Sequence, residues 1–204
     1  MIIDGKCYPV VGNGNSKLGI SIANVNMPLS TCAFKCPGCY ANKHHFAMAN
    51  IRMSMERNLI AYKENPEEFF RVIHNTLEMI PYKFFRWHSS GDIVDTQYLD
   101  LMCKLARKHK GTQFLCFTKK YGIVNEYLVN HKKPNNLILV LSAWGTMIPD
   151  NPHNLPMAYV KGIGGDELIP DNANECHGNC GECVNTSEHC WRMQKGEAVV
   201  FKKH

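Results

Sequence analysis

Two periods of apolar residues alternate along the chain. From Asn42 to Tyr62, Ala, Met, Ile and Leu recur at helical spacing, and Pro66 followed by Glu67 and Glu68 marks the start of a second helix reaching Met79. Thr96 to His109 reads as a third helix, with Asp95 as its cap and Tyr98, Leu99, Met102, Cys103, Leu105 and Ala106 on its apolar face. Ile123 to Asn130 reads as a short fourth. Between them lie compact runs of bulky residues with no helical period: Leu18 to Ala23, Lys83 to His88, Gln113 to Phe117 and Leu137 to Leu141. These read as buried strands. Strand and helix in turn predict parallel strands joined by right-handed helical crossovers, with ligand-binding residues at the carboxyl ends of the strands. Those ends carry Ser89 to Asp92, Thr118 to Lys120 and Ser142 to Trp144. Only four or five units are visible, so the expected α/β fold is a partial, open barrel over residues 1–150. After Pro149 the pattern turns irregular, up to a strand-like Ala198 to Phe201, and residues 151–204 are expected to pack on the barrel as a Cys-rich extension.

Composition narrows the function classes. No run approaches the roughly 18 uncharged apolar residues of a membrane span, and the N-terminal stretch has an acid where a signal peptide is basic, so no membrane partner and a cytoplasmic location are expected. The formal charge of +5 is spread along the chain; it permits nucleic-acid contact without arguing for it. The 10 cysteines are the anomaly. Seven fall into two tight groups, Cys32, Cys36 and Cys39, then Cys176, Cys180, Cys183 and Cys190. In a reducing compartment grouped thiols are metal ligands before they are disulfides. Cys7, Cys103 and Cys116 read as buried small hydrophobes.

The first group, Cys32-x3-Cys36-x2-Cys39-Tyr40, is compact enough for one loop to aim three thiolates at one centre. Three thiolates hold three irons of a cubane and leave a fourth iron without a protein ligand. A structural zinc completed by His44 or His45 is compatible with the same spacing.

This spacing resembles the signature of the radical S-adenosylmethionine (SAM) superfamily. The order Trp87-His88-Ser89-Ser90-Gly91-Asp92, Phe117-Thr118-Lys119-Lys120 and Leu141-Ser142-Ala143-Trp144 is similar to its branch with spore photoproduct lyase and small phage-associated relatives. Gly38 stands where the superfamily commonly has an aromatic residue, and Ser89 to Asp92 stand in for its usual Gly-Gly-Glu. The resemblance implies a radical SAM type of partial TIM barrel. It also implies a 4Fe-4S cluster on Cys32, Cys36 and Cys39, with S-adenosyl-L-methionine chelating the open iron, and reductive cleavage to a 5′-deoxyadenosyl radical that abstracts hydrogen from an unidentified substrate. An electron donor such as flavodoxin or ferredoxin follows. Tyr40, Ser90, Gly91, Asp92, Thr118, Lys119 and Ser142 are the expected cofactor-binding residues, with Asp92 directed at the methionine amino group or a ribose hydroxyl, Lys119 or Lys120 at the carboxylate and Ser142 at the ribose. No residue is singled out as catalytic. Trp87 and His88 sit at the same mouth, where an indole stacks on adenine or an imidazole relays a proton; residues of this kind are more often core.

The second group places four thiolates within fifteen residues, with Gly178 and Gly181 suited to a tight loop. Four local thiolates match a closed zinc site or a fully ligated 4Fe-4S cluster. The resemblance favours an auxiliary iron-sulfur cluster. The rival from another class is a non-catalytic, metal-stapled nucleic-acid-binding or accessory protein, phage-encoded, in which both groups are structural.

Overall fold

The structure is a computed structural model; it describes residues 2–3, 6–14, 18–42, 48–186 and 189–203, without the side chains of 2, 3, 6 and 7. Cys7 as a core thiol, and His44 and His45 as ligands, therefore lie outside the described side chains. A two-stranded antiparallel ribbon, β1 (Ile2–Ile3) and β2 (Lys6–Cys7), precedes the main sheet. The sheet has eight strands, in the spatial order β3 (Gly12–Asn13), β4 (Ile22–Val25), β5 (Phe84–Trp87), β6 (Gln113–Thr118), β7 (Leu137–Ser142), β8 (Met157–Lys161), β10 (Ala198–Lys202) and β9 (Asn174–Glu175). All neighbours are parallel except β3 with β4, and β3 and β9 form opposite edges, so the sheet is open.

Strands β4 to β8 pair in sequence order. Right-handed crossovers that always step in one direction put every helix on one face. The helices α1 (Ala49–Glu64), α2 (Pro66–Met79), α3 (Thr96–Lys108) and α4 (Tyr121–Asn130) do pack together with one strand face: Val25, Phe85, Trp87, Phe114, Cys116, Leu139 and Leu141 share a core with Phe69, Ile73, Tyr98, Leu99 and Val124. The alternate strand positions Ile22, Phe84, Leu115, Ile138, Val140 and Val199 form a second core on the helix-free face, covered by Val184, Trp191 and Met193 of the C-terminal segment. With both faces covered, all six residues of β7 are buried, which is why its sequence carries no alternation.

Helix ends follow the local code. Asn65 accepts from the Glu68 amide at 3.0 Å with Pro66 at the first helical position, and Asp95 accepts from the Tyr98 amide at 2.8 Å. Three boundaries move. The strand expected at Leu18 to Ala23 is β4, four residues later, because Leu18 and Gly19 form the turn that enters it. The first helix begins at Ala49 among the described residues, and α4 begins at Tyr121. The strand expected at Ala198 to Phe201 is β10, and the irregular stretch before it contributes β8 and β9 to the same sheet, five and two residues long, too short to show a period between their Pro and Gly neighbours.

Candidate functional site

The carboxyl ends of β4, β5, β6 and β7 meet at one edge of the sheet, where a parallel strand set places its ligand site. β4 leads through Met27 and Pro28 into a 3-10 turn, Leu29–Thr31, whose C-cap is Cys32. Cys36, Pro37, Gly38 and Cys39 then form a tight turn in which the Cys39 amide donates to the Cys36 carbonyl at 3.2 Å. Pro37 at the second position and Gly38 at the third, with φ of +71°, is the residue choice of a type II turn, and it explains a glycine ahead of the third cysteine.

Both ends of this loop are tied to the turn after β5. Thr31, just before Cys32, accepts from the Asp92 amide at 2.8 Å, and the Tyr40 hydroxyl, just after Cys39, donates to the Ser89 carbonyl. Enclosure of that hydroxyl end raises the Tyr40 pKa. Asn26 holds the same turn from below, its side-chain oxygen accepting from the Ser89 and Ser90 amides at 2.8 and 3.2 Å. Gly91 sits at φ of +78°, and a Cβ there would fall 2.4 Å from the Met27 carbonyl oxygen, so only glycine lets the two loops meet. The buried Ser90 Oγ has no hydrogen-bond partner, an unmade bond at the floor of the site.

Asp92 is 4% exposed and ties two strand ends together. Its carboxylate accepts from Thr118 Oγ1 at 2.5 Å, the Ile93 amide at 2.8 Å and the Lys119 amide at 2.8 Å. Burial raises its pKa while these bonds oppose the rise. Three of about four acceptor positions of the carboxylate are thus filled within the protein. Thr118 is equally committed, since its Oγ1 also accepts from the Lys120 amide at 3.0 Å. The Lys119 ammonium lies 5.0 Å over the Trp144 ring, close enough to the thiols to favour their anionic forms. Ser142 ends β7, and its carbonyl accepts from the Tyr121 hydroxyl.

The three thiols of the first group act on one another. Cys32 is pushed up to about 12 by burial, then by Asp92, Cys39 and Cys36, with Lys119 opposing; burial also raises Cys36, and Lys119 counters it. In the second group, Cys176 follows β9, Cys180 and Cys183 bracket the one-turn helix α5 (Cys180–Cys183), and Cys190 lies in a 3-10 turn, His189–Trp191. Burial and then Cys176 push Cys190 up to about 12, Cys180 and Cys183 adding to the rise and Arg86 opposing it. The Gly178 amide donates to Cys176 Sγ at 3.4 Å. Nine described cysteines include no disulfide. No three sulfurs of either group lie within 4.8 Å of one another, whereas sulfurs around one tetrahedral zinc stand about 3.8 Å apart.

Trp87 and His88 belong to the core. Trp87 is fully buried on the helical face, and His88, at φ of +56°, lies within 3.1 Å of the Tyr98 hydroxyl and 3.9 Å of Cys116 Sγ. Cys103 and Cys116 are buried, as expected. Sequence reasoning missed Thr31, Asn26 and Arg86. Thr31 adjoins the first cysteine, a position from which a hydroxyl reaches a neighbouring loop; Asn26 and Arg86 carry no such signal. Arg86 projects on the helix-free face over Phe117, 4.1 Å from its ring centre, and its charge is felt by both Tyr40 and Cys190.

The fold and site define an open, singly wound α/β protein with a thiol-bearing loop at its strand ends and a second thiol group on its helix-free face. Over residues 9–161 the chain matches the gene product 88 (GP88) family, and it belongs to that family. The matched span takes in the first thiol group and ends with β8, ahead of the second. No curated protein and no solved structure matches the chain. No helix among the described residues is long and apolar enough to cross a membrane.

Proposed function

We propose that this chain is a radical S-adenosylmethionine enzyme, with its first cluster on Cys32, Cys36 and Cys39. The observation that carries the reading is the double docking of the thiol loop, through Thr31 and Tyr40, onto the Ser89 to Asp92 turn beside Lys119. The donor set fits the group: three thiolates leave one iron open, and Ser90 Oγ offers an unused bond. A 4Fe-4S cluster with S-adenosylmethionine supplies, when bound, reductive cleavage of the sulfonium to methionine and a 5′-deoxyadenosyl radical for hydrogen abstraction.

The protein's own part is binding and orientation. Lys119 would be the cation for the methionine carboxylate, the remaining acceptor position of Asp92 and the Ser90 hydroxyl would serve its amino group, and Ser142, at the end of β7, would bind the ribose. Asp92 does this while locking the ends of β5 and β6. The helices on one face and a covered helix-free face support a partial barrel of the radical SAM type. Cys176, Cys180, Cys183 and Cys190 complete four ligands, fitting a closed auxiliary 4Fe-4S cluster, with zinc as the alternative occupant. One electron per turnover comes from a flavodoxin- or ferredoxin-type donor in a reducing cytoplasm.

The test is anaerobic reconstitution, iron and sulfide counting, electron paramagnetic resonance with and without S-adenosylmethionine, and assay of 5′-deoxyadenosine after reduction. The expected result is a reduced-cluster signal that changes on adding S-adenosylmethionine, with 5′-deoxyadenosine released, and both responses lost in Cys36→Ala. Zinc at both groups with no 5′-deoxyadenosine overturns the reading.

A further inference from the structure

Away from both thiol groups, three ligand-type side chains converge on the helical face. His74 and Glu78 are one turn apart on α2, so both point the same way. His109, the C-cap of α3, meets them: its Nε2 lies 2.7 Å from His74 Nδ1, and its Nδ1 lies 3.6 Å from Glu78 Oε1, which is 4.0 Å from His74 Nδ1. One donor atom from each residue lies within 4.8 Å of the other two. Donors around a tetrahedral ion bound at about 2.0–2.2 Å stand about 3.3 Å apart. With His109 Nε2 as the ligand atom, its 2.7 Å separation from His74 Nδ1 is shorter than that value and the 4.0 Å from His74 Nδ1 to Glu78 Oε1 is longer, so an ion bound here spreads the two rings and draws the exposed carboxylate inward.

The buried corner of the triangle is held rigidly. The His109 amide donates to the Leu105 carbonyl at 3.1 Å, and the His109 carbonyl accepts from the Thr112 amide at 3.0 Å and from Asn136 Nδ2 at 3.0 Å. Asn136 Nδ2 also bonds the Ala106 and Thr112 carbonyls, at 2.9 Å each. A ligand whose backbone is fixed at this many points loses little freedom on binding. The solvent side is open, since the Glu78 side chain is 63% exposed, leaving room for a water as fourth ligand.

We propose that His74, Glu78 and His109 bind one divalent transition-metal ion of the zinc class, with water in the fourth position, and that the ion clamps α2 to α3. Two imidazoles and a carboxylate are the donor set such ions take. The site lies at the carboxyl ends of α2 and α3, where the chain enters β5 and β6, at the opposite end of the sheet from the thiol loop. Its role is structural, and the proposal is independent of the radical reading.

The test uses the full chain with both thiol groups already filled, titrated with Zn²⁺ by calorimetry and followed by thermal unfolding. One further equivalent of zinc is expected, with Tm raised by roughly 5–10 °C when free zinc exceeds Kd a hundredfold. His74→Ala is expected to abolish that equivalent, and Glu78→Gln, a change at an exposed position, to weaken it at least tenfold with the fold intact by circular dichroism. Absence of the extra equivalent, or its survival unchanged in Glu78→Gln, overturns the proposal.

Discussion

The two thiol groups are held in place by different forces. The loop of Cys32, Cys36 and Cys39 is pinned by polar bonds from a rigid floor: Thr31 to the Asp92 amide, Tyr40 to the Ser89 carbonyl, and beneath them the Asp92, Thr118 and Asn26 bonds. Those bonds need no ion. The segment of Cys176, Cys180, Cys183 and Cys190 is framed by bonds largely within itself, Asn179 accepting from the Glu182 amide at 3.2 Å, and by the Cys176 amide donating to the Val200 carbonyl at 2.9 Å; α5 is a single turn, far below the length at which a helix stands alone, and the segment is anchored by Val184, Trp191 and Met193 on the apolar face. A three-thiol loop placed by the fold suits a centre with an open position. A four-thiol segment with little structure of its own suits a closed centre that folds it.

The largest expected effect follows from that contrast. Removing the metal proposed for the second group, or Cys180→Ser in it, is expected to cost on the order of 5 kcal/mol and to release Trp191, now 1% exposed and 5.1 Å from the Phe84 ring centre. Cys36→Ala in the first group is expected to cost about 1 kcal/mol or less while removing the 5′-deoxyadenosine release that the proposed function requires. Denaturant unfolding and tryptophan fluorescence check both. Equal losses at the two groups break the comparison.

A second prediction concerns the floor of the first site. Burial, with Arg86 nearby, pulls His88 down from its ordinary value to about 3, so the folded state holds the ring neutral. The unfolded chain protonates near pH 6.5. A depressed folded pKa means that this stability is present above pH 6.5 and is lost as the pH falls toward 3, by up to roughly 4 kcal/mol. His88→Gln is expected to flatten that part of the stability curve in metal-free protein as in loaded protein. If the acid slope appears only in loaded protein, the floor depends on the ion after all.

The same contrast shows what the sequence made legible. Helices α2 and α3 were readable to within a residue or so because Asn65, Pro66 and Asp95 act locally and the apolar stripe repeats. So were the cores of β5, β6 and β7, whose bulky runs are bounded by turn residues. β8 and β9 were not, because a strand of five or two residues takes its identity from the neighbours it pairs with. At the site, Ser89 to Asp92, Thr118 and Lys119 could be placed at strand ends from topology alone. That Asp92 spends most of its bonding on Thr118 and Lys119 could not be, since those bonds join residues 26 and 27 positions apart. Arg86 was hidden in a strand that reads as aromatic, where alternation turns it to the helix-free face.

The smallest expected effect concerns charge. Each thiol group has its own cation: Lys119 favours the anionic forms of Cys32 and Cys36, and Arg86 that of Cys190. Lys119 is half-buried on Trp144, so its stem can be replaced at little cost, and Lys119→Gln is expected to change stability by no more than about 0.5 kcal/mol. On the proposed reading, in which Lys119 meets the cofactor carboxylate, its loss is expected to weaken S-adenosylmethionine binding by about tenfold, or about 1.4 kcal/mol, with a reduced dependence on salt. The second group should be untouched in metal content and in Trp191 fluorescence. Arg86→Gln is expected to reverse the pattern, altering the second group's spectrum more than cofactor affinity. If both substitutions move both groups alike, the two cations serve one shared field, in keeping with Tyr40, which feels Arg86 together with thiols of both groups.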